Sequence, residues 1–213
     1  MTGKILHAQD WANTSKYKAD NEQLSSVQIP NRIVLMGDSI TEFWTKSDAA
    51  FFEDKPYLVN RGIGGQTTSQ MLERFPQDVL ALKPNVVVIL AGTNDIAGNT
   101  GSISLNAIFK NIVKMAEMAR SKKIEVVLCS VLPAAAFTWN PNVRPADKII
   151  ALNKMIKAYA NKHKIAYADY FSVTVDNNKG LKKEFSGDGV HPNKKGYKAM
   201  EPVLEAAIQK TLK

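Results

Sequence analysis

The serine at position 39 has the type and the position of a catalytic nucleophile. Four apolar residues, 33–36, are followed by Gly37, Asp38 and Ser39, a pattern typical of a buried strand that ends at a turn. In an open parallel sheet, ligands bind at the carboxyl ends of the strands. A hydroxyl there attacks a bound carbonyl if a base activates it. Because Gly-Asp-Ser is also ordinary turn chemistry, the interpretation of Ser39 depends on the other polar loops.

His191 is predicted to be the base that this serine needs. Of the three histidines, His7 lies in the amino-terminal segment and His163 in a lysine-rich helix end, whereas His191 lies in a constrained loop before a proline. Asp188 precedes His191 by three residues, close enough to accept a hydrogen bond from the imidazole and fix its tautomer. The alternative for Asp188 is an Asx turn with no role in chemistry.

Three groups are predicted to stabilise the negative charge of a tetrahedral intermediate. They are the backbone amides of Ser39 and Gly65 and the side-chain amide of Asn94, which lie in turns behind predicted strands. Each donor in such an oxyanion hole is worth about 3 kcal/mol. We expect glycine to be required at position 65, because the backbone there must approach a substrate without a β-carbon in the way. Together these groups supply what acyl transfer requires.

Strands and helices alternate about five times along the chain, and this alternation predicts the scaffold. Apolar residues at helical spacing predict helices over 105–118 and 146–162. Short apolar runs predict strands over residues 32–36, 57–59, 86–91, 124–129 and 165–170. The fold class is therefore α/β, a three-layer α/β/α sandwich with a central parallel sheet of about five strands.

We expect residues 1–213 to form one domain, because the length suits a single α/β core. Asp10 is predicted to cap a helix in residues 1–30, which should form a peripheral helical arm.

Composition narrows the class of protein. Apolar residues make up 45% and charged residues 23%, as in ordinary globular proteins. The net charge of +8 raises the question of a nucleic-acid partner, but no aromatic residues are interleaved with the lysines as a stacking platform, so none is expected. The single cysteine, Cys129, is predicted to be buried.

The sequence leaves compartment and assembly open. No apolar stretch approaches the ~20 residues of a membrane span, and the amino end lacks the apolar core of a signal peptide. A cytoplasmic protein is one expectation, and a periplasmic or secreted one, with its presequence removed, is the other. Both a monomer and a homodimer are compatible with the sequence.

Four sequence blocks occur in an order that is itself informative. They are Gly-Asp-Ser-Ile at 37–40, Gly-Gly-Gln-Thr at 64–67, Gly-Thr-Asn-Asp at 92–95 and Asp-Gly-Val-His-Pro at 188–192. This ordered set resembles the four signature blocks of the SGNH hydrolase superfamily, also called GDSL esterases and lipases. The resemblance implies Ser39 as nucleophile and oxyanion donor, Gly65 and Asn94 as the other donors, His191 as base and Asp188 as its orienter.

The resemblance also implies a flavodoxin-like sandwich with no metal and no organic cofactor. Residues 60–68 are most similar to the branch that contains platelet-activating-factor acetylhydrolase catalytic subunits and bacterial sugar-ester deacetylases. Ile40 occupies the position of the leucine in the Gly-Asp-Ser-Leu motif that gives the GDSL family its name, and this is an exchange of one apolar residue for another. Gln66 replaces an acidic residue often found after the glycine, and we expect this exchange to alter the local hydrogen bonding.

These residues predict a serine esterase that removes a short acyl group, acetyl above all, from a polar alcohol such as a carbohydrate. Asp38, Trp139 and Arg144 are expected to bind the substrate, with Phe137 beside Trp139 at the acyl group. The chain shows no long apolar lid for a fatty chain. A lysophospholipase or thioesterase that acts on longer acyl chains is the alternative.

Three other classes of protein fit the sequence less well. A non-catalytic carbohydrate-binding protein on this scaffold would not need the complete set of catalytic positions. A metal-dependent phosphoesterase would use Asp38, Asn94, Asp188 and His191 as ligands, but no second histidine lies at ligand spacing. Dinucleotide binding at residues 62–65 fails because the fingerprint's glycine spacing is absent.

Overall fold

A parallel sheet with helices on both faces forms the centre of the protein, as the computed structural model of residues 10–212 shows. The strands are β1 (Ile33–Gly37), β2 (Leu58–Gly62), β3 (Val86–Leu90), β4 (Glu125–Cys129) and β5 (Ala166–Ala168). Their order across the sheet is β2-β1-β3-β4-β5, and every neighbouring pair is parallel. The predicted three-layer α/β sandwich is confirmed. His7 and the start of the predicted arm lie outside the described residues.

Helices connect the strands and cover the sheet. They are α1 (Lys18–Ser26), α2 (Ser39–Ser47), α3 (Ala50–Glu53), α4 (Thr68–Asp78), α5 (Thr93–Ala97), α6 (Leu105–Ser121), α7 (Pro145–His163), α8 (Tyr170–Thr174) and α9 (Lys194–Thr211). Helices α4, α6 and α7 pack on one face of the sheet, and α2 and α9 pack on the other. Among residues 10–212, no helix has the length and apolar character needed to cross a membrane.

The strands are apolar on both sides because both faces of the sheet are covered. In β1, Val34 and Met36 point into the cluster beneath α4 and α6, while Ile33 and Leu35 point into the cluster beneath α2 and α9. This alternation follows from the two-residue period of a strand. Each such side chain contributes about 1.5–3 kcal/mol when fully buried. Free Cys129 of β4 lies in the second cluster, which confirms its predicted burial.

The strand order places the carboxyl ends of β2, β1 and β3 side by side. Gly37 at the end of β1 is level with Gly62 of β2 and Leu90 of β3. The chain leaves β1 towards one face and β3 towards the other, so a crevice opens between the ends of these two strands. The loops that carry the candidate catalytic residues 39, 65 and 94 begin at these three ends.

Close packing of α2 against β2 brings the loop after β2 to the loop after β1. A β-carbon at Gly62 would lie 2.1 Å from the backbone nitrogen of Glu42 in α2. Only glycine allows this approach. The Glu42 carboxylate in turn accepts a hydrogen bond from the backbone N–H of Gly64 at 2.6 Å, which fixes the start of the glycine-rich turn.

Two strands, β2 and β5, differ in length from the prediction by more than one residue. β2 continues through Asn60 and Arg61, which the sequence pattern assigned to a turn, because the Arg61 guanidinium is buried against Asn21 and Asp20 of α1. β5 covers only three residues of the predicted 165–170. It stops there because the Asp169 carboxylate accepts a hydrogen bond from the backbone N–H of Ser172 and begins α8.

The prediction that Asp10 caps a helix is wrong. Its carboxylate accepts hydrogen bonds from the backbone N–H groups of Thr14 and Ser15 and closes a turn, and α1 begins only at Lys18. The described part of the predicted arm is tied to the sandwich, since the Asn21 amide donates to the buried Asp78 carboxylate at 2.6 Å.

Candidate active site

Ser39 is the first residue of α2 and follows β1 after a single intervening residue. Asp38 is the N-cap of α2, because its side chain accepts a hydrogen bond from the backbone N–H of Ile40 at 2.9 Å. The N–H of Ser39 has no acceptor within its own helix, as for every residue of a first helical turn. Both the hydroxyl and the amide of Ser39 are therefore placed at the positive end of a helix.

A continuous chain of hydrogen bonds joins Ser39, His191 and Asp188. Ser39 Oγ lies 2.9 Å from His191 Nε2, and His191 Nδ1 lies 2.6 Å from Asp188 Oδ2. Since an ionised carboxylate only accepts, Nδ1 carries the proton and Nε2 presents its lone pair to the Ser39 hydroxyl. The loop between a 3₁₀ turn, Lys183–Phe185, and α9 thus brings the His191 imidazole to the Ser39 hydroxyl at the start of α2.

Both interpretations of Asp188 from the sequence apply at once. Its Oδ1 accepts hydrogen bonds from the backbone N–H groups of Val190 and His191, at 2.9 and 2.8 Å, which is an Asx turn. Its Oδ2 faces the imidazole. Partial burial raises the pKa of Asp188, but these hydrogen bonds outweigh burial and leave the pKa well below its ordinary value. The turn therefore holds a charged carboxylate against Nδ1.

The three predicted oxyanion donors come together beside Ser39. Asn94 Nδ2 donates to the carbonyl of Gln66 at 3.1 Å and lies 3.4 Å from Asp38 Oδ2, so Asn94 is next to the residues that flank Gly65 and Ser39. Asn94 itself is 4% exposed. Gly65 has φ of 76°, a conformation that favours glycine, and a β-carbon there would meet nothing closer than 3.9 Å. Backbone conformation, rather than space, requires glycine at 65.

The prediction that Asp38 binds substrate is wrong, because Asp38 is 1% exposed and lies beneath the nucleophile. Its two oxygens face Ile40 N–H and the Asn94 amide. Burial raises the pKa of Asp38 to about 6, against the opposing effects of the Ile40 hydrogen bond and the nearby imidazole of His191. Asp38 therefore supports the candidate site from the protein interior, through its contacts with Ile40 and Asn94.

The structure brings Trp139 to the site and leaves Arg144 in its own loop. The Trp139 ring is 44% exposed, lies 6.3 Å from the His191 ring between centroids, and stacks on fully buried Phe137 at 4.9 Å. Phe137 is thus a core residue that supports Trp139. Arg144 Nη1 donates to the carbonyl of Pro141, and within residues 10–212 no hydrogen bond or ion pair joins Arg144 to the catalytic groups.

Several residues that the sequence pattern did not identify hold the site together. Arg74 is fully buried and donates to the carbonyl of Gly37, to Gln66 and to Asp78. Gln66 also donates to the carbonyl of Ala12 at 2.6 Å, so the exchange at this position does shape the local hydrogen bonding. An arginine at helical spacing looks like a surface residue, and no sequence signal identifies Arg74.

Asn99, Phe43 and Ser186 also adjoin the candidate catalytic groups. Asn99 Nδ2 contacts Gly65 O and Asn94 Oδ1, and the Phe43 ring lies 5.4 Å from the His191 ring. The Ser186 hydroxyl lies 3.0 Å from Asp188 Oδ1. Position is the only available signal for Asn99 and Ser186, since both fall in polar loops beside the predicted blocks.

Comparison with known proteins agrees with this geometry. A Bacteroides fragilis protein assigned as an acylhydrolase is 46% identical in sequence to this chain. Its crystal structure matches this one with a TM-score of 0.93, over 97% of this chain and 100% of that one. Esterase TesA of Pseudomonas aeruginosa is 28% identical over 85% of this chain and 87% of its own length.

An acetylxylan esterase of Xylanibacter ruminicola is 25% identical over 87% of this chain. The match covers only 45% of that relative, so the chain spans about half the length of the acetylxylan esterase. Residues 35–199 match the family model described as GDSL-like Lipase/Acylhydrolase. This range includes every predicted catalytic and oxyanion residue. The chain therefore belongs to the GDSL-like lipase/acylhydrolase family.

Proposed function

We propose that this protein is a serine esterase that hydrolyses short-chain acyl esters, above all acetyl esters of a carbohydrate or similar polar alcohol. The observation that carries the proposal is the chain of contacts from Ser39 Oγ to His191 Nε2 at 2.9 Å and from His191 Nδ1 to Asp188 Oδ2 at 2.6 Å. Family membership supports the same reaction class.

In the proposed acylation step, Ser39 Oγ attacks the ester carbonyl carbon while its proton passes to His191 Nε2. The C–O bond to the alcohol then breaks, and His191 returns the proton to the departing alkoxide. Asp188 keeps Nδ1 protonated and stabilises the imidazolium that forms between these two events. The amides of Ser39, Gly65 and Asn94 hold the oxyanion, which costs no reorganisation because the fold fixes them in advance.

In the proposed deacylation step, water takes the place of the alcohol. His191 Nε2 removes a proton from the water, whose oxygen attacks the acyl carbon. The tetrahedral intermediate then expels Ser39 Oγ, which takes the proton back from His191. The products are a carboxylic acid and the free enzyme. His191 is partly open to solvent, with its side chain 28% exposed, so water has access to it.

Two observations support a polar alcohol. The exposed face of Trp139 beside His191 offers a flat, amphipathic surface of the kind on which the apolar face of a sugar ring packs. The acetylxylan esterase named above, by its name, acts on an acetylated glycan.

Replacement of the nucleophile tests the reaction. Ser39→Ala should abolish the hydrolysis of nitrophenyl acetate and the release of acetate from acetylated xylo-oligosaccharides, with the fold intact by circular dichroism. Ser121→Ala, which removes a hydroxyl from the exposed end of α6, is the matched control and should retain full activity. An unchanged rate in Ser39→Ala refutes the nucleophile.

A series of nitrophenyl esters tests the acyl chain. We expect a steep fall in kcat/KM beyond butyrate, whereas a preference for octanoate would favour the lysophospholipase or thioesterase alternative.

A pair of variants tests the alcohol side. Trp139→Ala and Trp139→Phe both lose the indole N–H, and only the first loses the ring. Acetate release from the glycan should therefore fall more in Trp139→Ala, and equal losses would refute the stacking role.

A further inference from the structure

One exposed side chain, Asn99, joins two of the oxyanion donors to the aromatic wall of the site. Asn99 Nδ2 donates to the carbonyl of Gly65 at 3.1 Å and to Asn94 Oδ1 at 2.9 Å. Asn99 Oδ1 accepts from the indole Nε1–H of Trp139 at 3.1 Å. The loop after α5 thus places a single amide between the turn after β2, the start of α5 and the 130–144 loop.

The orientation of the Asn99 and Asn94 side-chain amides follows from the indole N–H of Trp139. An indole N–H can only donate, so the Asn99 atom that faces Trp139 is the oxygen. The Asn99 NH₂ group then points to Asn94, and the Asn94 atom that receives it is its oxygen. Asn94 consequently presents its NH₂ group towards Asp38 and Gln66, the chain neighbours of Ser39 and Gly65, where we place the oxyanion hole.

The contact with Gly65 constrains the second donor. Gly65 has φ of 76°, and a glycine has no side chain to limit rotation of the peptide groups on either side of it. The hydrogen bond from Asn99 holds the carbonyl of Gly65. That carbonyl belongs to the peptide group after Gly65, so the hydrogen bond limits rotation about the Cα–C bond of Gly65 and restrains the turn that carries the Gly65 N–H.

We propose that Asn99 is a positioning residue, which sets the direction of the Asn94 carboxamide and of the Gly65 backbone so that both donate into the oxyanion hole. This inference rests on the proposed function, since it assigns a role within the same site. Asn99 acts only through the two donors and does not touch the reacting carbonyl.

Three substitutions separate this role from simple support of the loop. Asn99→Ala removes all three contacts, whereas Asn99→Asp still accepts from Trp139 but cannot donate to Asn94 or Gly65. The matched control is Asn140→Ala, because Asn140 supports the same loop by donating to the carbonyl of Ala97 at 2.8 Å and does not contact the donors.

We expect kcat for nitrophenyl acetate to fall about tenfold to a hundredfold in Asn99→Ala and in Asn99→Asp, the range expected for small misplacement of catalytic groups. KM should change less than about threefold, because interactions made only in the transition state are lost. Asn140→Ala should keep the kcat of the parent protein. A crystal structure of Asn99→Asp should show the Asn94 carboxamide turned round, with its NH₂ group towards the new carboxylate.

The outcomes distinguish the two proposals. Full kcat in both Asn99 variants, in a protein that hydrolyses esters and is inactive as Ser39→Ala, refutes the positioning role alone. An equal loss of kcat in Asn140→Ala refutes it too, because general loosening of the loop would then explain the effect. A protein that hydrolyses no ester, or keeps its activity as Ser39→Ala, overturns the proposed function and this inference with it.

Discussion

Replacement of Asp38 by asparagine should change how the stability of the protein depends on pH. The Asp38 carboxyl group is 1% exposed, and burial raises its pKa from the ordinary 3.8 to about 6. No basic side chain forms an ion pair with it among the described residues. The folded state therefore pays a free-energy penalty for the ionised form of Asp38.

The sign and the size of the effect follow from this pKa. Well below pH 3.8, Asp38 is protonated in the folded and the unfolded protein, and no penalty applies. As the pH rises towards 6, the unfolded chain ionises freely while the folded protein resists, so stability is lost and the loss is complete above the folded pKa. Each pKa unit corresponds to about 1.4 kcal/mol, and the rise from 3.8 to about 6 amounts to about 3 kcal/mol.

Asp38→Asn stays neutral at every pH and keeps an oxygen for the N-cap contact with Ile40. The free energy of unfolding of the variant, relative to the parent protein, should therefore rise by about 2 kcal/mol between pH 4 and pH 7, because Asp38 of the unfolded chain is already partly ionised at pH 4. Any constant effect of the substitution cancels in this comparison. Urea denaturation, followed by the fluorescence of tryptophan, measures the free energy at each pH.

The matched control is Asp54→Asn, which removes the same charge from an exposed position. It should show a much smaller pH-dependent difference, because Asp54 is solvated in the folded protein. A difference between Asp38→Asn and the parent that stays constant from pH 4 to pH 7 would refute the argument that Asp38 is destabilised by burial.

Three further substitutions test other parts of the structure. Asp188→Asn should lower kcat by about 10³–10⁴-fold, because the new NH₂ group faces Nδ1 of His191 and leaves the proton on Nε2, as steady-state kinetics would show. Gly62→Ala should destabilise the protein by about 3 kcal/mol, because its β-carbon meets the α2 backbone at 2.1 Å, as urea denaturation would measure. Burial and the neighbouring Asp48 raise the pKa of Glu201, so the folded protein resists ionisation of this carboxyl group. Glu201→Gln stays neutral and should therefore gain stability relative to the parent as the pH rises above the ordinary carboxyl range. Urea titrations at several pH values would detect this gain.

For each of these substitutions, one result would contradict the argument behind it. A loss of less than about tenfold in Asp188→Asn would contradict the tautomer argument. Gly187→Ala is the control for Gly62→Ala, since a β-carbon at Gly187 meets nothing within 4 Å, and equal destabilisation of the two variants would contradict the packing argument. Glu201→Gln contradicts the linkage argument if its stability relative to the parent is the same at low and high pH.

Local sequence patterns predicted the scaffold well where the structure depends on local chemistry. The continuous apolar run in β3 (Val86–Leu90) predicted a buried central strand, because a parallel strand covered on both faces has no polar side. Helical spacing predicted α6 (Leu105–Ser121) within a few residues of its observed end. The polar edge strand β2 was cut short in the prediction, since its buried Arg61 is satisfied only by partners in α1.

Residue type, spacing and order were enough to predict Ser39, Asp188 and His191 as the reacting groups, because each of these signals can be read along the chain. The support of these groups could not be predicted in this way, because it comes from tertiary contacts. Burial of Asp38 beneath the nucleophile and the amide chain through Asn99 join loops that lie far apart in sequence. Such contacts depend on how strands and helices pack. No periodic pattern in the sequence indicates which distant loops will come into contact.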